Sequence, residues 1–217
     1  MTLTVAATIE WLRAYAATVS KNEQLLTELD AAIGDADHGS NLHRGMSAVV
    51  EQLEADGPTT VGDALRAAGM TLISTVGGAS GVLYGTLLLR MATASGDRAE
   101  LPAPDFAAAL RAGLDGVTAR GHAELGDKTM VDVLAPGIDA LDAALADGVS
   151  LTDAVSLAAI AAQAARDATA PLVARKGRAS YLGERSAGHI DAGAASAALL
   201  FAALASALVD GSTAVAA

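Results

Sequence analysis

The sequence contains no cysteine, which excludes disulfides and thiolate-bound metals at once. Aromatics are also scarce, with two Phe, three Tyr and one Trp in 217 residues. Alanine and leucine must therefore build most of the core that a 52% hydrophobic content allows. Alanine's small side chain packs closely, and neither residue is branched at Cβ, so both favour helices and the composition predicts an all-α fold. Basic residues are few: 14 Lys and Arg stand against 25 Asp and Glu, for a formal charge of −11. That balance argues against a nucleic-acid partner, because a phosphate backbone needs a basic face. A basic leader is missing too, since "MTLTVAATIEW" reaches Glu10 before any long apolar run. The most apolar stretch, Ala195 to Val209, is shorter than the ~20 residues of a membrane-spanning helix. Together these absences predict a soluble, cytoplasmic chain with no membrane partner.

What the sequence has is helical periodicity along nearly its whole length. Ile9, Leu12, Ala16 and Val19 recur at helical spacing, predicting an amphipathic helix over about 4–20. Further helices are expected at about 23–33, from about 40 to the "DGP" stop at 56–58, and over 60–94 with a break at "GGASG", residues 77–81. The pattern continues at about 104–120, 129–146, 151–169 and 193–208. No period-2 run is long enough to predict a strand, and neither a repeat nor a linker divides the chain. One all-α domain over 1–217 is the expectation. The segment 171–193, "PLVARKGRASYLGERSAGHIDAG", lacks helical periodicity, and a connection of that length in a compact fold points to a binding loop or lid, with disorder as the competing reading.

Polar chemistry is concentrated in a few short stretches. Asp30, Asp35 and Asp37 put three carboxylates within eight residues, a repulsive arrangement unless a cation lies between them. Gly34 lets the chain leave one helix and fold its next acids back toward Asp30. Clustered oxygen ligands suit Mg²⁺ or Ca²⁺ rather than zinc. A calcium EF-hand is excluded, because its twelfth position would be Asn41 or Met46 instead of Glu. The competing reading is plain capping: one helix ends at Gly34 and an Asp caps the next. His38, Gly39, Ser40 and Asn41 lie where that next helix opens, so their amides and the helix dipole offer an anion site. His43 and Arg44 follow with no role assigned.

"VGGASGVLYG" repeats the arrangement, with Gly78, Ala79 and Ser80 at a second helix start, although glycines there also suit close packing. "GHAELGDKT", residues 121–129, approaches a phosphate-binding P-loop but carries one residue too many and follows no strand. Thr129 and Asp132 instead have the spacing of a capping box, with Asp in place of Glu. "RKGRASYLGER", residues 175–185, gathers four basic residues against one acid in an otherwise acidic chain. Arginine suits phosphate through planar bidentate bonds. An acidic metal cluster, helix starts and a basic loop are the equipment for a nucleotide polyphosphate.

The motifs "ELD" at 28–30, "IGDADHG", "TLISTVGGASGVLYGT", "GDKTMVDVL", "ARKGRASYLGERS" and "GHIDAGA" resemble the nucleotide-binding L subunit of the dihydroxyacetone kinase family, in order and over almost the whole chain. The resemblance implies a barrel of eight antiparallel helices with the nucleotide at one end. It implies that Asp30, Asp35 and Asp37 hold two Mg²⁺ ions that bridge the phosphates of ADP or ATP. Nucleotide contacts are implied for His38, Gly39, Ser40 and Asn41 and for Gly78, Ala79 and Ser80. Gly121, Thr129, Met130 and Arg178 join them, with Asp191, Ala192 and Gly193.

The same resemblance implies two partners: a K subunit holding dihydroxyacetone, and a phosphotransferase-system M subunit that recharges ADP. The expected function is phosphoryl transfer, with a homodimer left open by the alanine-rich helix faces. Two other functions share the nucleotide site: an L-like component of another kinase, such as one serving a fatty acyl carrier partner, and a nucleotide-sensing regulator.

Overall fold

A short antiparallel pair ties the start of the chain to its middle: β1 (Thr2–Thr4) pairs with β2 (Glu100–Pro102), with Leu3 opposite Leu101. Both leucines are fully buried, each contributing about 1.5–3 kcal/mol to the core. No strand was expected, because three residues are too short to register as a period-2 pattern. The computed structural model describes residues 2–215; the side chains of residues 56 and 210–215 lie outside that description.

The remaining elements are helical: α1 (Val5–Lys21), α2 (Glu23–Ile33), α3 (His38–Asp56), α4 (Val61–Thr75), α5 (Gly78–Ser95), α6 (Ala103–Gly121), α7 (Val131–Ala146), α8 (Leu151–Ala168) and α9 (Ala192–Val215). A 3₁₀ segment, Arg178–Ser186, lies in the connection from α8 to α9 where no helix was expected. The starts are chemically marked. Thr4, Thr60 and Ser150 accept hydrogen bonds from the amides of Ala7, Asp63 and Asp153, capping α1, α4 and α8.

Neighbour follows neighbour around the core. The chain of packed pairs runs α1 on α3, α3 on α4, then in order through α8 to α9, and α9 returns to α1. α2 leans on α3 and α9 from outside that series. Small residues let the helices approach closely. A side chain on Gly69 would come within 3.0 Å of the Gly85 carbonyl, and one on Gly85 within 2.8 Å of the Gly69 carbonyl, so α4 and α5 meet backbone to backbone. The few aromatics act as ties: Trp11 Nε1 donates to the Leu200 carbonyl at 3.0 Å, and its ring meets Phe106 edge-on.

α9 is longer than its sequence pattern suggested. Its window Ala192–Val209 is long and apolar enough to cross a membrane, with mean hydropathy 2.0. Length therefore does not exclude a span; burial explains the composition, because 67% of that window is covered by the rest of the chain.

Candidate functional site

Four helix starts and two helix ends converge on a cleft of about 450 Å³. The end of α2 and start of α3 supply its acidic side, and the start of α5 faces them. The end of α6, the starts of α7 and α9, and residues 176–179 of the basic segment complete it. All three non-glycine residues with left-handed backbone among those described lie on these connections: Ala36 (φ 62°), His122 (φ 49°) and Lys128 (φ 64°). Such conformations cost of order 1 kcal/mol or more each and persist only where the surroundings impose them.

On the acidic side, ligand atoms of Asp30, Asp35 and Asp37 lie within 4.8 Å of one another. The local chain explains the gathering. Asp30 Oδ2 accepts from the amides of Asp37 (2.9 Å) and His38 (3.2 Å), so its carboxylate caps α3 from the preceding helix. A side chain on Gly34 would fall 2.1 Å from Asp30 Oδ1, which is why glycine holds the turn. Asp37 occupies the N-cap position of α3, yet its side chain makes no capping bond. The capping reading thus accounts for Asp30 and leaves the Asp37 carboxylate free for other work. Asp35 pairs with Arg178 Nε at 2.9 Å, bringing the basic segment onto the acidic cluster.

The start of α5 is different. Its N-cap, Gly77, has no side chain to offer, and Gly78 adopts φ 69° with open space around it. Conformation, not crowding, demands glycine at 78. Gly81 serves packing instead, because a side chain there would meet the Val76 carbonyl at 2.4 Å.

Beneath the two starts runs a buried hydrogen-bond relay. Ser196 Oγ donates to the Gly193 carbonyl (3.0 Å), so it can only accept from Tyr84 OH (2.7 Å) and His38 Nε2 (2.8 Å). His38 therefore carries its proton on Nε2, and Nδ1 accepts from Ser80 Oγ at 2.8 Å. Burial lowers the His38 pKa and keeps the ring neutral, while burial pushes Tyr84 up to about 12 and keeps it a donor.

Opposite, the loop 121–130 is organised by its own acids. Asp132 accepts from the amides of Gly126 (2.5 Å) and Thr129 (2.7 Å), as a capping-box acid would. The Thr129 hydroxyl accepts from Val131 rather than from Asp132, so only half of the expected box forms. Lys128 is turned inward, 1% exposed, and its ammonium bonds backbone carbonyls. Burial lowers its pKa. Asp191 caps α9 through the amide of Ala194 at 2.7 Å, and burial raises its pKa to about 7. The basic segment is ordered by packing at its root, where Ile33, Ala174 and Ala179 form a small apolar cluster.

The cleft brings together Asp30, Asp35, Asp37 and His38 with Gly78, Ala79 and Ser80. Gly121, Thr129, Met130 and Arg178 line it as well, as do Asp191, Ala192 and Gly193. Gly39, Ser40 and Asn41 do not line it. Gly39 is pressed against α2, where a side chain would stand 2.1 Å from the Glu23 carbonyl. Ser40 Oγ donates to the Asp37 carbonyl, and Asn41 accepts from Arg44. His43, unassigned from sequence, bonds Glu23 on α2. Sequence reasoning missed Tyr84 and Ser196, which bear no local signal, and Lys128, visible only as the lysine of a failed P-loop. It also missed the apolar wall of Leu83 and Val117 with Arg120 at its edge.

The chain is similar to known proteins over nearly its whole length. The DAK2 domain family matches residues 32–206. The ADP-binding subunit DhaL of the PEP-dependent dihydroxyacetone kinase of Escherichia coli (strain K12) is 45% identical, over 90% of this chain and 93% of that one. The corresponding PTS-dependent subunit of Lactococcus lactis is 41% identical, over 92% and 95%. Among solved structures, the dihydroxyacetone kinase from C. freundii in complex with AMP-PNP and Mg²⁺ superposes with TM-score 0.70 at 28% identity. That match covers 93% of this chain but only 33% of that larger one. With the family match and these relatives spanning almost all of its length, the chain belongs to the DAK2-domain family, alongside the DhaL subunits.

Proposed function

We propose that this chain is the ADP-binding L subunit of a phosphoenolpyruvate-dependent dihydroxyacetone kinase. The observation that carries the reading is one cleft joining three carboxylates within 4.8 Å, an uncapped helix start and an arginine. An oxygen-only donor set fits Mg²⁺, and two ions on Asp30, Asp35 and Asp37 would match the charge of a diphosphate or triphosphate. Bound there, Mg²⁺ supplies charge neutralisation for phosphoryl transfer. The amides of Ala79 and Ser80 would meet phosphate oxygens at the positive end of α5. Arg178 would add bidentate bonds from the opposite side. Leu83, Val117 and Met130 would exclude water and flank the base beside Gly121 and Thr129. Asp191, Ala192 and Gly193 close the floor, with Gly39, Ser40 and Asn41 supporting His38 from behind.

In this proposal dihydroxyacetone is held by a separate K subunit, and an M subunit of the phosphotransferase system recharges the bound ADP. The domain is one unit over 1–217, supported by a hydrophobic core that draws on all nine α-helices. The closed series of neighbours formed by α1 and α3 to α9 supports an eight-helix barrel with the cleft at one end.

The test is reconstitution. Combined with K and M subunits and the general phosphotransferase components, the chain should pass phosphate from phosphoenolpyruvate to dihydroxyacetone, with ADP retained throughout. No dihydroxyacetone phosphate from folded components would overturn the function. Erythrulose belongs in the same assay, because the D-erythrulose kinase of Mycolicibacterium smegmatis is 38% identical over 86% of this chain. This chain covers only 32% of that protein, and turnover of erythrulose alone would move the reading there.

A further inference from the structure

Lys128 presents a physical problem that the proposed nucleotide site does not absorb. The residue combines a left-handed backbone (φ 64°) with a charged side chain only 1% exposed. Both features are unfavourable alone; the Asp191 carboxylate attracts the ammonium without bonding it directly. Instead Nζ faces four backbone carbonyls: Thr169 at 2.9 Å, Ala170 at 3.2 Å, Leu172 at 3.0 Å and His189 at 2.5 Å. Three of these lie where the chain leaves α8, and the fourth lies just before α9. The ammonium therefore joins the two feet of the long connection that carries Arg178 and Lys176 to the cleft.

Other bonds reinforce the same junction. The Arg175 amide donates to the Asp127 carbonyl beside Lys128 (3.0 Å), and the Gly188 amide donates to Ala170 (2.8 Å). The Asp191 amide donates to the Thr169 hydroxyl at 3.2 Å. Only a long, flexible stem ending in several donors reaches four carbonyls from one point. The planar guanidinium of arginine has a fixed fork and a larger head, which this enclosed geometry does not accommodate.

We propose that Lys128 is a positioning residue that clasps both feet of the 171–190 segment, holding its basic stretch over the nucleotide and slowing nucleotide release. The inference builds on the nucleotide site proposed above, and its test separates the two. In the full chain, Lys128→Met keeps the stem and removes the donors. Release of a fluorescent ADP analogue in the presence of Mg²⁺ should accelerate by about tenfold or more, as loss of a charged hydrogen-bond donor predicts. Amide exchange followed by mass spectrometry should rise within 171–190 and stay unchanged in α1 and α5. A rise spread evenly over the helices would make Lys128 a general stability residue and overturn the clasp. Unchanged protection of 171–190 would overturn it equally.

If Lys128→Met does not fold, the unmodified chain decides. The amides of Arg175 and Gly188 at the feet should exchange more slowly than that of Ser180 in the 3₁₀ segment; equal or faster exchange overturns the clasp. A wild-type chain that binds no Mg²⁺–ADP overturns the proposed function, and the exchange pattern still decides the role of Lys128.

Discussion

The starts of α3 and α5 face the same cleft, and on sequence they are nearly equivalent: glycines, a serine, and amides free to meet an anion. In the fold they differ. The α3 start is claimed by Asp30, whose carboxylate takes the amides of Asp37 and His38. The α5 start has no capping side chain at all. A carboxylate already neutralises the first dipole end, so the second is the one left for a ligand anion. The contrast also gives Asp30 two tasks. Capping pins its Oδ2 while the same side chain stands within the acidic cluster. The α9 start is a third variant, capped by its own Asp191.

The largest expected effect comes from Asp30→Ala, which removes both tasks. Mg²⁺–nucleotide affinity should fall about tenfold to a hundredfold as a half-buried, charged ligand to the cation is lost. Stability of the ligand-free protein should fall by about 1–2 kcal/mol through the lost cap. Asp37→Ala should weaken the nucleotide comparably while changing ligand-free stability by less than about 0.5 kcal/mol. Urea unfolding and calorimetric titration of both variants check this, and equal stability losses would erase the distinction.

Next comes the glycine pair that follows the same division. Gly39→Ala presses a methyl group against the Glu23 carbonyl and should destabilise the fold by about 2–3 kcal/mol. Gly78→Ala meets no neighbour, but its left-handed backbone should cost about 1 kcal/mol. Its more telling effect should be weaker nucleotide binding, since the first amides of α5 shift. A Gly78→Ala protein that binds nucleotide as tightly as wild type would break the assignment of that helix start.

The third start is read through pH rather than through affinity. Asp191 has its pKa raised to about 7 in the fold, against about 3.9 in an unfolded chain. Between those values the folded chain holds a proton that the unfolded chain releases, so this group makes stability fall as pH rises from about 4 to about 7. Asp191→Asn keeps an acceptor for Ala194 and removes the titration. Its unfolding free energy should therefore vary less across that range than the wild type's, and an unchanged slope would refute the assignment.

Much of the fold was legible because helical periodicity and caps are local. The helix at 23–33 stands where the pattern placed it, while the break between α4 and α5 falls at 76–77, at the leading edge of the expected 77–81. The β1–β2 pair was not legible, since its two strands lie about a hundred residues apart and each is three residues long. The acidic cluster was readable from Asp30, Gly34, Asp35 and Asp37, all within eight residues. Which acid caps and which stays free was not, because that depends on how α2 and α3 cross. Tyr84 and Ser196 look like ordinary helix residues until three helices bring them to His38.

By itself, then, the sequence determined the α-helices, the gathering of carboxylates within eight residues, and the concentration of positive charge in residues 175–185. Those are properties of neighbouring residues, set by backbone geometry and short-range repulsion. Only the tertiary structure decided which helix start remains open, where Lys128 turns its charge, and that the basic segment closes on Asp35. Each of those depends on burial and on partners far apart in the chain, and burial sets the balance between hydration and hydrogen bonding that decides them.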